Sequence, residues 1–394
     1  MTAIRVQKYG GSSVADVGRL LRVAERVVEA KRQGFQVVVV VSAMGDTTNR
    51  LMKMAHEITP EPPRRELDML LSTGERISMA LLSMAIQAHG YEAISFTGSQ
   101  SGILTNDRHF EAQIIEVRPI RIQDELARGK IVIVAGFQGM SYKREITTLG
   151  RGGSDTTAVA LAAALGAESC EIYSDVDGVY DADPRVVLDA KRLDSLGYDE
   201  MEEMARMGAK VLHAEAVRFA REHKIALYAK ATAGSDGYTL IRRDLDTESK
   251  TKTAITCLRP LCWLSVPHAE ADEAVYQAQL AAQSLHPSLS FWGGQQIDVA
   301  FWRDAYPELD AAVARLRWPA IVEEKAVVSV IGSQSGDIAG ALVRANEAVR
   351  GILGAADWRV WTAPLRMSFA VPLACAEDVQ RALHRVFCVE GLGA

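Results

Sequence analysis

The chain has 394 residues, 48% of them hydrophobic and 24% charged, which is long enough for roughly two or three domains with full cores. Its net charge of −6, with no basic block, argues against a nucleic-acid-binding surface. The apolar run 37–41 is too short to span a bilayer, and residues 1–20 lack the apolar segment of a signal peptide. We therefore expect a cytoplasmic protein that binds neither membrane nor nucleic acid.

Predicted strands and helices alternate in the first part of the chain. The strands are 4–9, 35–43, 130–137, 169–176 and 224–230. They are too continuously apolar for a sheet with one wet face, so a mainly parallel sheet covered on both sides is expected. A helix is predicted over 18–34, because Leu20, Val23, Ala24 and Val27 fall on one helical face. Repeated strand–helix units of this kind build a doubly wound α/β domain. Such a domain binds ligands beyond the carboxyl ends of its strands.

Polar segments rich in glycine or aspartate lie where this rule places a ligand. They are "KYGGSSVAD" (8–16), "SAMGDTTN" (42–49), "TLGRGGSD" (148–155) and "SDVDGVYDADPR" (174–185). Gly10 and Gly11 allow close approach of backbone N–H groups to a phosphate, and Lys8 adds a point charge. The chain has no GxxxxGK[ST], GxGxxG or GxSxG pattern in the required context, which argues against a P-loop enzyme, a dinucleotide enzyme and a serine hydrolase.

Metal-binding patterns are missing from the sequence as well. Its eight histidines form no HExxH motif. The cysteines form no CxxC pair and are expected to be buried thiols: Cys170, Cys257, Cys262, Cys375 and Cys388. We expect no metal site built by the protein.

Together with "STGERIS" (72–78) and "GAKVLH" (208–213), these segments make residues 4–232 resemble the aspartate kinases of the amino-acid kinase superfamily. The resemblance implies a three-layer αβα sandwich. It also implies transfer of the γ-phosphoryl group of ATP, with Mg²⁺ carried by the nucleotide, to the side-chain carboxylate of L-aspartate. That carboxylate is ionised at neutral pH (pKa about 3.9), so no general base is required.

By resemblance, each site residue receives a role. Lys8 and Asp155 are catalytic, with Asp155 orienting Lys8; the alternative for Asp155 is a helix cap only. Glu75 binds the α-ammonium of aspartate and Arg151 its α-carboxylate. The remaining substrate-binding residues are Thr48, Gly152 and Ser154. The nucleotide-binding residues are Gly10, Gly11, Ser12, Ser174, Asp175, Tyr180, Asp183, Arg185 and Lys210.

The sequence departs from the family pattern at two positions. Ala214 follows His213, where the family usually has proline. The segment "AKAT" (229–232) stands where the family reads close to "VRSS", so Lys230 replaces an arginine. Lysine and arginine differ as hydrogen-bond donors, which leaves the detail of that strand end open.

A polar stretch, 242–253, reads as a linker and ends a kinase domain at 1–245. Beyond it, the order β-α-β-β-α occurs twice, which predicts two ferredoxin-like α+β domains of the ACT type, 254–324 and 325–394. In the family, a strand from about 254–260 completes the second one. Such pairs dimerise and bind amino-acid effectors, so a homodimer or higher oligomer that serves lysine and threonine biosynthesis is expected.

The effector clefts of these two domains look altered. Pro267 and Gly336 each stand alone where the family has a "PG" step, and Pro287, Phe291 and Trp292 replace a short "INID"-like strand. We hypothesise a scaffold that lysine and threonine inhibit weakly or not at all; the alternative is a cleft refitted for another effector. Two other functions stay open, a kinase for a different amino acid and a non-catalytic regulatory subunit.

Overall fold

The computed structural model describes residues 2–234, 237–243, 253–267, 273–283, 285–293, 296–302, 309–316, 321–332, 338–356 and 358–390. Most of the predicted linker, residues 268–272 of the first effector loop and Gly336 lie outside these ranges. The chain forms two compact units. Unit 1 comprises Met1–Val179, Arg192–Arg206 and Lys210–Lys250; unit 2 comprises Tyr180–Lys191, Met207–Ala209 and Thr251–Ala394. The boundaries 1–245, 254–324 and 325–394 stay predictions.

Unit 1 is built on an eight-stranded sheet. Its strands, in spatial order, are β10 (Ser195–Leu196), β12 (Tyr238–Ile241), β11 (Leu227–Ala231), β9 (Ser169–Ser174), β1 (Ile4–Tyr9), β2 (Gln36–Val41), β6 (Ile131–Ala135) and β3 (Ala93–Phe96). Neighbouring strands are parallel except β11 and β12. All five predicted strands are present, so the mainly parallel α/β sheet is confirmed.

The helices of unit 1 are α1 (Val17–Arg32), α2 (Thr47–Ile58), α3 (Arg64–Leu71), α4 (Thr73–Ala88), α5 (Ile120–Ala127), α6 (Gly153–Leu165), α7 (Tyr198–Arg206) and α8 (Ala214–His223). The helix predicted over 18–34 is α1, which begins after Asp16, whose carboxylate accepts from the Arg19 N–H at 2.8 Å. The strand predicted at 224–230 starts only at Leu227. Lys224, with a φ of 57°, ends α8 in the left-handed conformation and occupies the start of the predicted strand.

Apolar packing covers the main sheet. On one face, the buried side of α1, including Leu20, Val23 and Val27, packs with α4 and with valines of β2 such as Val39. Helix α6 contacts β1, β2 and β9 and is buried over most of its length. Parallel strands need such cover because both of their faces are apolar.

A second sheet in unit 1 was not predicted. It contains β5 (Ile114–Val117), β4 (Ile103–Thr105), β7 (Gln138–Ser141) and β8 (Ile146–Thr148), in that order. These strands have three or four residues each and mix polar with apolar side chains, so they give no strand-length periodic signal.

One span of unit 1, Arg64–Ala88, is long and apolar enough to cross a membrane by length and composition alone. It comprises α3 and α4, and 56% of the critical window is buried inside the protein. A core helix of a soluble protein passes the same test, so the span is weak evidence for a membrane protein.

Unit 2 contains a six-stranded sheet in the order β14 (Leu289–Gly293), β15 (Gln296–Trp302), β13 (Ala254–Pro267), β16 (Ile321–Ile331), β18 (Arg366–Pro372) and β17 (Arg359–Ala363). Its helices are α9 (Glu273–Ala282), α10 (Leu309–Ala314), α11 (Ile338–Leu353) and α12 (Ala376–His384). Each half has the predicted order β-α-β-β-α and its own apolar core. The predicted α/β class with ferredoxin-like C-terminal domains is therefore confirmed.

Strands β13 and β16 are long enough to serve both halves of this sheet. Ala254–Leu258 pairs with Val327–Ile331, next to β18, whereas Leu261–Pro267 pairs with β15. A bulge between Leu258 and Leu261 separates the two parts of β13. The start of β13 thus lies in the second half of the sheet.

Candidate active site

The predicted polar segments of unit 1 share one edge of its main sheet. Strands β9, β1, β2 and β6 are parallel neighbours, so their carboxyl ends point the same way. The segments that begin at Gly10, Ser42 and Ser174 follow three of these strands directly. The segment at 148–155 follows β6 only after β7 and β8 and leads into α6.

Lys8 and Asp155 form an ion pair at this edge. The Lys8 Nζ lies 2.7 Å from the Asp155 Oδ1, and the two side chains are 12% and 11% exposed. Lys8 comes from β1 and Asp155 from the first turn of α6. The alternative of Asp155 as a helix cap is wrong, because the residue that caps α6 is Gly152 and no side chain bonds its first N–H groups.

The glycines after β1 let two loops approach each other. The Gly10 N–H donates to the Tyr173 carbonyl at 3.2 Å, and residues Gly11–Val14 form a 3₁₀ turn. A Cβ on Gly11 would lie 3.0 Å from the Ala43 carbonyl oxygen, in the loop after β2. Ser12 is exposed. The glycine pair therefore joins the first and second loops beside Lys8.

Glu75 is a buried carboxylate with an unsatisfied oxygen. It lies in the first turn of α4, is 3% exposed, and its Oε1 accepts from the Ala43 N–H at 3.0 Å. Its Oε2 is buried and has no hydrogen-bond partner among the described residues. Burial raises the pKa of Glu75 from 4.5 to about 7. A cationic ligand at Oε2 would restore its charge and complete its hydrogen bonds.

Thr48 belongs to the helix that follows the loop after β2, and this loop is in tight contact with the start of α4. Thr48 is in the first turn of α2 and is half-buried. A Cβ on Gly74 would lie 2.8 Å from the Ala43 Cβ and 3.6 Å from the Thr47 Cγ2. The glycine of "TGERIS" thus lets the start of α4 pack closely against Ala43 in the loop after β2.

The loop before α6 combines an exposed arginine with close backbone contacts. Arg151 is exposed and forms no ion pair with the described residues. Gly152 has a φ of 72°, and a Cβ there would clash with the His213 ring. Ser154 is buried, and a Cβ on Gly136 would lie 2.7 Å from its Oγ. The Arg151 guanidinium therefore stands free on a tightly packed turn.

The predicted nucleotide residues divide between the two units. Ser174, exposed Asp175 and exposed Lys210 belong to unit 1. Tyr180, Asp183 and Arg185 belong to unit 2, where the Arg185 guanidinium holds the Asp183 carboxylate through Nε at 3.0 Å and NH2 at 2.9 Å. The hydrogen bond from Arg185 lowers the pKa of Asp183.

Sequence reasoning missed the partners of two of these positions. The His213 ring packs directly against Gly152. The motif "GAKVLH" contains His213, but nothing in the sequence indicated this contact. Lys230 donates to the Glu171 Oε1 at 2.6 Å, and Gln7 donates to the Glu171 Oε2 at 2.9 Å. Glu171 stands inside the apolar run of β9, and a buried carboxylate requires a polar or charged partner. This was the signal in the sequence that could have predicted its partners.

Metal-type donors meet in one place among the described residues. Atoms of Asp181, His384 and Cys388 in unit 2 lie within 4.8 Å of one another. His384 Nε2 is hydrogen-bonded to Asp181 Oδ1 at 3.2 Å, and the Cys388 thiol donates to the Thr253 carbonyl at 3.6 Å. Protein contacts satisfy these donors, so the expectation of no metal site is retained as a prediction.

Comparison with known proteins shows the class to which this fold and site belong. Residues 3–229 match the model of the amino acid kinase family. The aspartokinase of Corynebacterium glutamicum is 40% identical over an alignment that covers 99% of this chain and 97% of that protein. The aspartokinase of Mycobacterium tuberculosis strain H37Rv is 58% identical over 231 residues, and the chain spans only 55% of its length in that match.

A solved structure agrees with these matches. Aspartokinase III of E. coli in complex with aspartate and ADP superposes with a TM-score of 0.79 and 26% identity, over 98% of this chain and all of that one. The chain is a member of the amino acid kinase family. Within that family it belongs to the aspartokinases.

Proposed function

We propose that this chain transfers the γ-phosphoryl group of ATP to the side-chain carboxylate of L-aspartate, giving 4-phospho-L-aspartate and ADP. An oxygen of that carboxylate forms the new P–O bond while the bond to the leaving ADP breaks. The nucleophile is ionised before it reacts, so catalysis consists of positioning and charge neutralisation. Lys8, oriented by Asp155 at 2.7 Å, supplies a positive charge for the transferring group.

The observation that carries this proposal is the buried, unpartnered Oε2 of Glu75. A carboxylate with one free oxygen in a buried site is completed by a cation that can donate a hydrogen bond. The α-ammonium of an amino acid has both properties, whereas an N-acylated amino acid has neither the charge nor three donors. Glu75 therefore selects a substrate with a free amino group.

The other roles follow from the family resemblance. Arg151, exposed and free of ion pairs with the described residues, binds the α-carboxylate of aspartate with its planar fork. Thr48, Gly152 and Ser154 complete the substrate site. The nucleotide is bound by Gly10, Gly11, Ser12, Ser174, Asp175, Tyr180, Asp183, Arg185 and Lys210. Mg²⁺ enters with the ATP phosphates, whose charge it neutralises. The complex of E. coli aspartokinase III with aspartate and ADP supports this pair of ligands.

The same proposal extends to the setting of the enzyme. The reaction is the first step of aspartate-family biosynthesis and supplies lysine and threonine. The protein works in the cytoplasm and self-associates through its C-terminal ferredoxin-like halves as a homodimer or a higher oligomer.

Release of ADP measured with different acceptors tests the proposed reaction. We expect ADP release that depends on L-aspartate and is at least 100-fold slower with N-acetyl-L-aspartate, because a lost charge-assisted contact costs about 3 kcal/mol. Faster release with another free amino acid would assign a different kinase of the same fold. If no acceptor gives ADP release, the alternative of a non-catalytic regulatory subunit is favoured.

A further inference from the structure

Part of the sequence that the resemblance gives to the nucleotide site is packed into the core of unit 2. Residues 180–191, called here the 180s segment, contain Tyr180, Asp183 and Arg185. Its Ala182, Val186 and Val187 are buried among side chains of β16, β18, α11 and α12.

Polar contacts fix the ends of the 180s segment. The Asp181 N–H donates to the Lys191 carbonyl at 2.9 Å, and the Lys191 N–H donates to the Asp181 Oδ1 at 2.8 Å. The Ile255 N–H, at the start of β13, donates to the Asp181 carbonyl at 2.6 Å. The backbone of Asp181 and its carboxylate are thus both engaged.

Helix α12 supplies two further contacts, one on each side of Asp183 and Arg185. The His384 Nε2 bonds the Asp181 Oδ1 at 3.2 Å, and these residues are 3% and 6% exposed. The Arg381 NH1 donates to the Val186 carbonyl at 3.3 Å. The last turn of α12 therefore holds the 180s segment at both ends of its charged part.

The charged part forms a tight turn between these two anchors. The N–H groups of Val186 and Val187 both donate to the Asp183 carbonyl at 2.9 Å. The Arg185 guanidinium donates to the Asp183 carboxylate, and the Arg185 side chain is 81% exposed. Any shift of the anchored ends would move this pair, because few rotatable bonds separate them.

We propose that His384 and Arg381 are positioning residues for the nucleotide. They hold the 180s segment so that Asp183 and Arg185 keep the orientation required for ATP and ADP. The inference rests on the proposed function only in assigning those two residues to the nucleotide site. It makes α12 a determinant of nucleotide affinity, with no contact between α12 and aspartate required.

Nucleotide affinity of α12 variants tests this inference. Titration of the full-length protein with Mg²⁺·ADP gives a Kd, and steady-state kinetics give KM for ATP and for aspartate. We expect His384→Ala to raise the Kd for ADP and the KM for ATP at least fivefold, with the KM for aspartate changed less than twofold. His384→Gln, whose amide nitrogen can replace Nε2, restores most of the affinity. Arg381→Leu, at a half-exposed position that tolerates substitution, shows the same split if His384→Ala does not fold.

Ser329→Ala is the matched control, because it removes a buried hydrogen bond of unit 2 between the Ser329 and Ser368 hydroxyls, 2.8 Å apart, that involves no residue of the 180s segment. It should leave both KM values unchanged. The inference is overturned if the α12 variants keep the ADP Kd within twofold, if both KM values rise together, or if Ser329→Ala acts equally. A wild-type protein that binds ADP but does not phosphorylate aspartate would refute the proposed function and leave this inference standing on the ADP titration.

Discussion

Two glutamates of unit 1 show how the surroundings of a carboxylate decide its role. Glu171 is buried on β9, and although burial alone would raise its pKa, attraction and hydrogen bonding by Lys230 and Gln7 lower it. Glu75 is equally buried and accepts a hydrogen bond from the Ala43 backbone N–H, and burial raises its pKa to about 7. Glu171 stabilises the folded chain as a charged group, whereas burial makes the charged form of Glu75 unfavourable in the folded chain.

Glu75→Gln should therefore stabilise the unliganded protein while harming substrate binding. The folded pKa is raised, so stability falls as the pH rises from about 4.5 to about 7, where only the unfolded chain has lost the proton. At pH 8 the variant should be more stable by up to about 3 kcal/mol, and this gain should shrink towards pH 5. Its KM for aspartate should rise at least 10-fold, because the ammonium loses its anionic partner.

Urea unfolding at pH 5 and pH 8 measures the stability change, with Glu171→Gln as the control. Glu171 is paired, so its substitution should destabilise the protein at pH 8. If both variants lose stability at pH 8, Glu75 already has a partner and its proposed role is wrong.

At the scale of single elements, helix α6 is held differently at its two ends. Gly152 and Gly166 flank it, and both are left-handed, with φ values of 72° and 61°. At Gly152 the His213 ring fills the space of a Cβ, whereas nothing lies within 4 Å of the same position at Gly166. The amino end of α6, where Arg151, Ser154 and Asp155 lie, is therefore tightly packed. The carboxyl end has free space around Gly166.

Gly152→Ala should destabilise unit 1 more than Gly166→Ala. Each substitution puts a side chain at a positive φ, which costs roughly 1 kcal/mol, but only Gly152→Ala also drives a Cβ into His213. Thermal unfolding of both variants and of Gly152→Ala with His213→Ala measures the difference. The double variant should recover the clash component. Equal losses for the two single variants would mean that His213 moves aside freely.

The sequence predicted long, uniformly apolar elements well and short, mixed ones poorly. Five of the eight strands of the main sheet, and α1, were predicted because their apolar pattern is continuous. The four strands of the second sheet were not, since three or four residues give too little pattern. The Lys8–Asp155 pair was expected from the family resemblance, but the contact of His213 with Gly152 depends on tertiary packing that no local pattern encodes.

At the scale of the whole molecule, the two compact units are not continuous along the chain, because Tyr180–Lys191 and Met207–Ala209 of unit 2 interrupt the sequence of unit 1. The sequence placed one boundary near 245, because composition changes there. The structure assigns the 180s segment to unit 2, in which Val186 and Val187 join the core of the second half. A boundary drawn from composition cannot show such an exchange, since those residues are apolar in either environment.

The central claim is that Lys8 stabilises phosphoryl transfer to the side chain of aspartate. Hydroxylamine converts the acyl phosphate product to a hydroxamate, which is measured with ATP, Mg²⁺ and L-aspartate at saturation. Lys130→Ala is the control, because Lys130 also pairs with a carboxylate, Glu125 at 2.8 Å, but precedes β6 at the amino end of the strand. We predict hydroxamate formation by the wild type and by Lys130→Ala, with kcat lowered roughly 30- to 150-fold in Lys8→Ala, equivalent to a loss of about 2–3 kcal/mol. A wild type that forms no hydroxamate, or a Lys8→Ala variant that keeps more than about a tenth of wild-type kcat, would contradict the account.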